Sequence, residues 1–426
     1  MATLPAVPSP GMAGPLVPGE DAPAAGPGFI AAYTLAQIGA FVGFVPLLMV
    51  LLPLKAAALA PEAATLLVSR AAMWGAVSAG IAHLVAGSLS DRTQLRHGTR
   101  KPWIVAGIML TALSYVGVFL ARSPTELIAA IVVFQICFNI LFCPLVAVFA
   151  DHVPDRQKGL VSAFSGLAYP AASLFAGLVI AMALTGAAGR SIVTVVAMIA
   201  LLTPFVITKL RRVTVVTHPV SAKGPGRILA ALVDHDFRCA FASRLLVQTA
   251  MSLNVLYLLF YLQSHSDVAS RLPGLRIDAV LGLLIATSTT AALVSGFAAG
   301  LASDRWGGRK GFVTAGALLI AAGGATLAVL PAWPGPLVGQ MVYGIGVGIF
   351  STADQALIAQ VLPVRARIGR DLGVMNLAVT LPQVMAPLAG IVLLGSAGWS
   401  LPGIFALAAA LAVGGGVLVQ GIRRTL

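Results

Sequence analysis

Charge is scarce in this 426-residue chain: Asp, Glu, Lys and Arg make up 10% of it, while 58% is hydrophobic. A soluble domain is usually about 25% charged and about 45 to 50% apolar. So little charge cannot cover a water-facing surface of this size, which leaves most of the chain dissolved in lipid. Cysteine is scarce too. Cys137, Cys143 and Cys239 show no metal-type spacing, and the first two fall on different faces of one apolar run, as packing residues do. The chain also lacks a Gly-x-x-x-x-Gly-Lys-Ser/Thr loop, so neither an enzyme reading nor transport driven by bound ATP is supported, and no cofactor or metal is implied. Residues 1 to 27 are rich in Pro, Gly and Ala without a basic start before an apolar core, which reads as a disordered tail rather than a cleaved signal peptide.

What is present is long apolar runs. A spanning helix needs about 20 apolar residues, and twelve runs of that kind are expected at 29–54, 64–90, 102–121, 125–150, 159–186, 190–209, 238–263, 277–302, 311–331, 336–361, 370–396 and 400–421. Only helices and closed barrels satisfy their backbone hydrogen bonds in hydrocarbon, and runs this continuous exclude the alternation of barrel strands. The fold class is therefore all-α and polytopic. The domains expected are a tail at 1–28, a six-helix bundle at 29–209, a cytoplasmic linker at 210–237 and a second six-helix bundle with a short tail at 238–426.

The formal net charge of +13 could suggest nucleic acid, but the basic residues are scattered over short loops rather than gathered on one patch. Cytoplasmic loops retain lysine and arginine. With both termini inside, inner loops and the C-terminal tail hold 20 of the 27, outer loops five, and Arg70 and Arg244 lie within helices. That asymmetry sets the orientation in a cytoplasmic membrane.

Two stretches carry a resemblance. The first reads Gly87-Ser-Leu-Ser-Asp91-Arg92-Thr-Gln-Leu-Arg96-His-Gly-Thr-Arg100-Lys101-Pro-Trp103, a short loop between two apolar runs; the second, half a chain later, reads Gly300-Leu-Ala-Ser-Asp304-Arg305-Trp-Gly-Gly-Arg309-Lys310. Both resemble the signature loop of the major facilitator superfamily of secondary transporters, and the longer spacing of the first resembles its sucrose and glycoside-cation symporter branches. The resemblance implies two six-helix halves that rock about a central site near the bilayer midplane. It also implies that helices one, four, seven and ten, with two, five, eight and eleven, line the cavity, and that the loops latch the cytoplasmic gate through Gly87, Asp91, Arg92, Arg96, Arg100, Asp304, Arg305 and Arg309. Asp91 would bond nearby basic residues and the start of helix eleven at Gly369–Asp371. The alternative is that these arginines only enforce orientation. The glycine-proline antiporter motif of drug exporters is absent from helix five, which lowers an efflux reading without removing it.

Polar amides in lipid are costly unless paired. They fall at Gln37, Gln135, Asn139, Gln248, Asn254, Gln340, Gln355, Asn376 and Gln383, and are missing from helices three, six and nine. Helical spacing puts Tyr33, Gln37 and Phe41 on one face, and does the same for Gln135 with Asn139, for Asn254 with Tyr257 and Tyr261, and for Asn376 with Thr380 and Gln383. Amides and aromatics facing each other suit a polyhydroxylated small-molecule substrate; their other use is as interhelical glue. Asp354 is the one acid placed well inside a helix. Burial raises a carboxyl pKa, so such a group can carry a proton, or it can stay paired with an arginine. For Arg70 and Arg244 the plain reading is snorkelling or pairing at the gate, strongest for Arg70; the sharper one is that Arg244 attracts an acidic substrate or pairs with Asp354. His83 reads as a packed helix residue. The expected function is proton- or cation-coupled symport of a sugar-like solute by a monomer in the bilayer; proton-coupled efflux, organic-anion uptake and a transporter-derived sensor are the alternatives.

Overall fold

The computed structural model describes residues 25–208, 233–306, 308–361 and 368–423. Among them, twelve helices are long and apolar enough to cross a membrane: α1 (Pro27–Leu59), α2 (Pro61–His97), α3 (Lys101–Leu120), α4 (Pro124–Phe149), α5 (Leu160–Ala183), α6 (Ala187–Ile207), α7 (His235–Ser264), α8 (Ile277–Ser303), α9 (Arg309–Val329), α10 (Gly335–Ile358), α11 (Val374–Ser396) and α12 (Leu401–Gln420). The tail and linker expected at 1–28 and 210–237 lie outside the described residues except at 25–28 and 233–237. Of those, α1 begins at Pro27 and α7 at His235.

Local chemistry marks the ends. Ser123 caps α4 by accepting from the Glu126 amide at 3.3 Å, and Asp234 caps α7 by accepting from the Phe237 amide at 3.0 Å. Gly98, at φ 69°, stops α2 in a left-handed turn that other residues rarely adopt. The first signature stretch is consequently not the loop expected from its charge. The helix runs through Asp91, Arg92 and Arg96 to His97, and only Gly98 to Arg100 connect it to α3. Polar residues two turns past the apolar run continue the helix because nothing before Gly98 breaks it.

The four most buried spans are α1 and α4 in the first half and α7 and α10 in the second. Small residues let them approach their neighbours closely. In α10, Gly344 and Gly348 press on the carbonyls of Ser288 and Ala292 in α8, where a Cβ would have no room. The Ser295 hydroxyl adds a 3.0 Å hydrogen bond to the Ile345 carbonyl. The repeat is visible in its charges as well. Lys101, opening α3, donates to the Val206 and Thr208 carbonyls at the end of α6, and Lys310, opening α9, donates to the Ile422 carbonyl just past α12. Each lysine satisfies carbonyls that a helix end leaves without partners.

The even number of spans puts Pro27 and Gln420 on one side, here the terminal side, and the α1–α2 and α7–α8 turns on the far side. Between the halves, α2 packs on α11 and α5 on α8. These contacts lie toward the far side. A Cβ on Gly177 of α5 would sit 2.7 Å from the Gly282 carbonyl of α8, and Leu66 and Ser69 of α2 meet Gly395 and Gly390 of α11. Toward the terminal side, 155–166 at the start of α5 and 368–380 at the start of α11 are not among the described segments that pack on the opposite half. The halves meet on the far side and part toward the termini.

Candidate functional site

The far-side closure is built from charge and one tyrosine. Arg190 at the start of α6 pairs with Asp278 at the start of α8, with side chains only 7% and 14% exposed. Arg276 also binds Asp278, at 3.0 Å, and donates to the Ala181 and Leu184 carbonyls at the end of α5, both at 3.0 Å. One carboxylate thus ties the two halves together. Deeper in, the Tyr257 hydroxyl of α7 shares a 2.6 Å hydrogen bond with Ser69 of α2, over Gly390 of α11, where a side chain would overlap the tyrosine. None of the Arg190, Asp278 and Ser69 contacts follows from the sequence. Their partners lie 88 and 188 residues apart, and the one local signal was an acid beside Arg276 at a helix start.

On the terminal side, Arg100 joins two carboxylates of the first half: Nη1 lies 2.5 Å from Asp91 and Nε lies 2.7 Å from Asp151, on the continuation of α4 to His152. Burial works against the charge of Arg100, and the hydrogen bonds it donates to Asp151 and Asp91 outweigh it, so its pKa is raised. Arg92, Arg96 and Arg305 are exposed, and Gly87 lies against the Cys143 sulfur of α4. In the second copy, among the described side chains, Arg309 donates to the Ala356 carbonyl at 3.2 Å. The side chains of Asp304 and of Gly369–Asp371 lie outside the described residues.

The expected cavity residues separate into two groups. Tyr33, Gln37, Gln135, Asn139, Asn254, Tyr257 and Tyr261 are buried. Gln37 donates to the Tyr33 hydroxyl at 2.6 Å, and Tyr33 packs among Phe29, Phe149 and Phe205 inside the first half. Gln135 lies against Gly75 of α2, and Asn139 bonds the His83 ring at 3.2 Å. Gln340 of α10 donates to the Asn254 carbonyl oxygen of α7 at 3.1 Å. In this conformation Asn139, Asn254 and Gln340 join helices, while Gln37 bonds within its own. Helical spacing identified their shared faces but not which neighbour each face meets.

Asn376, Thr380 and Gln383 are exposed. They form one flank of α11. Met375, Ala378, Pro382 and Ala386 form its buried face, and Leu377, Leu381, Met385 and Leu388 the opposite, apolar flank. A polar flank is costly in hydrocarbon, whereas the apolar flank suits it.

The second half also places two charges within its span region. Arg244 of α7 approaches Asp354 of α10, Nε to Oδ2 3.4 Å, with side chains 18% and 6% exposed. This is an ion-pair distance without hydrogen-bond alignment, for the Arg244 Nε finds no hydrogen-bond partner. The Asn254 amide nitrogen and the Tyr261 hydroxyl, farther along α7, are likewise buried without partners. Buried polar atoms usually have one, so α7 holds unused hydrogen-bonding capacity on the face that the sequence pattern singled out. Arg70 is exposed, as snorkelling predicts. His83 is a correction to the sequence reading: it is exposed rather than packed.

The first half supplies rings in place of charges. Phe134, Phe138 and Phe142 ascend α4 one turn apart, Phe44 stacks on Phe138 at 4.7 Å, and Phe41 meets Phe142 and Tyr169 edge-on at 5.4 and 5.9 Å. Phe41, Phe142 and Tyr169 are at least partly exposed.

Comparison with known proteins accords with this architecture. The sequence model of the Major Facilitator Superfamily matches residues 28–272 and 276–425. Among solved structures, a mutant form of the nucleoside transporter NupG superposes with a TM-score of 0.67 at 12% identity, covering 92% of this chain and 99% of that one. A mutant form of the peptide transporter POT in complex with alafosfalin gives 0.71 at 11% identity, covering 92% and 93%. A bacterial homolog of the human lysosomal transporter Spinster, in an inward-facing and unoccupied conformation, gives 0.59 at 14% identity, covering 93% of each chain. At these identities the likeness is one of fold. No curated protein sequence matches the chain.

Proposed function

Because the chain belongs to the major facilitator superfamily and is a multi-pass secondary transporter, we propose that it moves a small, neutral, polar solute of the sugar type by alternating access, coupled to a proton or another cation. The observation that carries the coupling is the Arg244–Asp354 pair at 3.4 Å, buried between two central helices. A carboxyl there exchanges its arginine partner for a proton as the surroundings alternate, which is how intramembrane acids serve as relays. The pair is neutral as a unit, which favours an uncharged solute over an organic anion.

The rings of Phe41, Phe142 and Tyr169 offer apolar faces, and Asn376, Thr380, Gln383 and the unpartnered Asn254 amide offer hydrogen bonds. A polyhydroxylated ring has both kinds of surface. The lysine and arginine distribution supports a cytoplasmic membrane with both termini inside, so the open terminal side faces the cytoplasm, and a monomer suffices for the cycle.

Purified protein reconstituted in vesicles with an imposed proton gradient tests this reading, using a panel of neutral mono- and disaccharides beside organic anions. Gradient-driven accumulation of a neutral sugar is expected. Accumulation of anions alone would assign Arg244 to substrate attraction, and efflux-directed exchange would reverse the direction.

A further inference from the structure

The far-side seal fixes the register of two antiparallel helices, α2 and α11, and that register continues beyond the seal. Ser69 of α2 faces Gly390 of α11: a Cβ on Gly390 would lie 2.9 Å from the Ser69 hydroxyl. Fourteen residues further along α2 stands His83, and fourteen residues back along α11 stands Asn376. Fourteen residues are close to four turns, about 21 Å of rise, so each returns to within about 40° of the sealing face at one depth.

Both positions are polar and exposed inside otherwise apolar spans. His83 is steadied from behind by Asn139 of α4, at 3.2 Å, and Asn376 begins the polar flank that Thr380 and Gln383 continue. Exposed polar side chains at this depth are costly in lipid, so both belong to the opening.

We infer that His83 and Asn376 are a gating pair of the transport cycle: when the halves close on the terminal side, the imidazole of α2 meets the amide of α11, with Asn139 orienting the ring. The inference rests on the alternating-access reading above. It makes the terminal-side seal a polar contact through two side chains, where the far-side seal combines an ion pair with close glycine packing.

Disulfide trapping tests the pair. In a chain whose Cys137, Cys143 and Cys239 are replaced by serine, the double variant His83→Cys/Asn376→Cys is oxidised in vesicles, with and without Asp278→Asn to release the far-side tie. A disulfide is expected, more abundant in the Asp278→Asn chain, and amide hydrogen exchange at residues 277–285 should rise as it forms because the far side opens. If His83→Cys joins Leu377→Cys instead of Asn376→Cys, or no disulfide forms in either chain, the register is wrong. The single variant His83→Cys supplies an independent reading. It should react with a membrane-impermeant maleimide from the terminal side, and reaction only with a lipid-soluble reagent would place His83 against lipid and overturn the pair. A disulfide that forms without any change in exchange at 277–285 would leave the register standing and contradict the alternating-access reading.

Discussion

The first half lines its central helices with rings, Phe134, Phe138 and Phe142 stacked along α4, whereas the second half puts Gln340 and Asp354 on α10 opposite Asn254 and Arg244 on α7. At the signature stretches the contrast runs the other way. The first half closes its copy with Asp91, Arg100 and Asp151, and in the second, among the described side chains, Arg309 meets a backbone carbonyl. Two bundles with the same helix order therefore divide the work. One carries stacked rings and a charge-locked terminal end, and the other an amide pair between central helices and an ion pair at depth. A duplicated fold needs matching backbone packing, but nothing requires its polar groups to be duplicated with it.

Removing the arginine of each signature copy should break this comparison most sharply. Arg100→Ala leaves Asp151, whose side chain is 8% exposed, without its partner, a loss of about 3 to 5 kcal/mol for a broken buried pair. Among the contacts of described side chains, Arg309→Ala loses a 3.2 Å bond to a carbonyl, about 0.5 to 1.5 kcal/mol. Thermal unfolding in detergent should rank them in that order, and equal losses would mean that the two copies are equivalent.

Next in size is the far-side tie. Asp278→Asn removes the charge that Arg190 and Arg276 share, and a loss of about 1.4 kcal/mol would already shift the two-state population tenfold. Impermeant-maleimide labelling of a cysteine in the terminal-side opening should fall as that side closes. Unchanged labelling would make the cluster a local staple. A modest effect is expected from Asn254→Ala, which frees Gln340 inside the second half; an interhelical hydrogen bond of this kind is worth about 0.6 to 2 kcal/mol. A large drop in apparent solute affinity with little loss of stability would show that the amide meets the substrate rather than its neighbour.

Much of the fold was legible because lipid imposes a simple rule on sequence. Every span was expected within several residues, and α4, α7 and α10, each with two of the amides, are among the four most buried spans, whereas α11, which also has two, is not. The Arg244–Asp354 pairing was one of several readings open for these residues, and the two side chains do approach. Contacts between the halves were not legible. Arg190 with Asp278, Ser69 with Tyr257 and Gly177 with Gly282 join distant segments, and no periodicity within one helix encodes its partner. The cavity set divided for the same reason: Tyr33 and Gln37 share the face expected of them, and that face turns into the first half's own core.

The claim that the second half holds the coupling site is tested most directly by Asp354→Asn in vesicles, measuring gradient-driven accumulation beside solute counterflow in the same preparation. Counterflow should persist while accumulation is lost, because exchange needs the binding site and the rocking motion but no proton. Full accumulation by the asparagine variant would contradict the account.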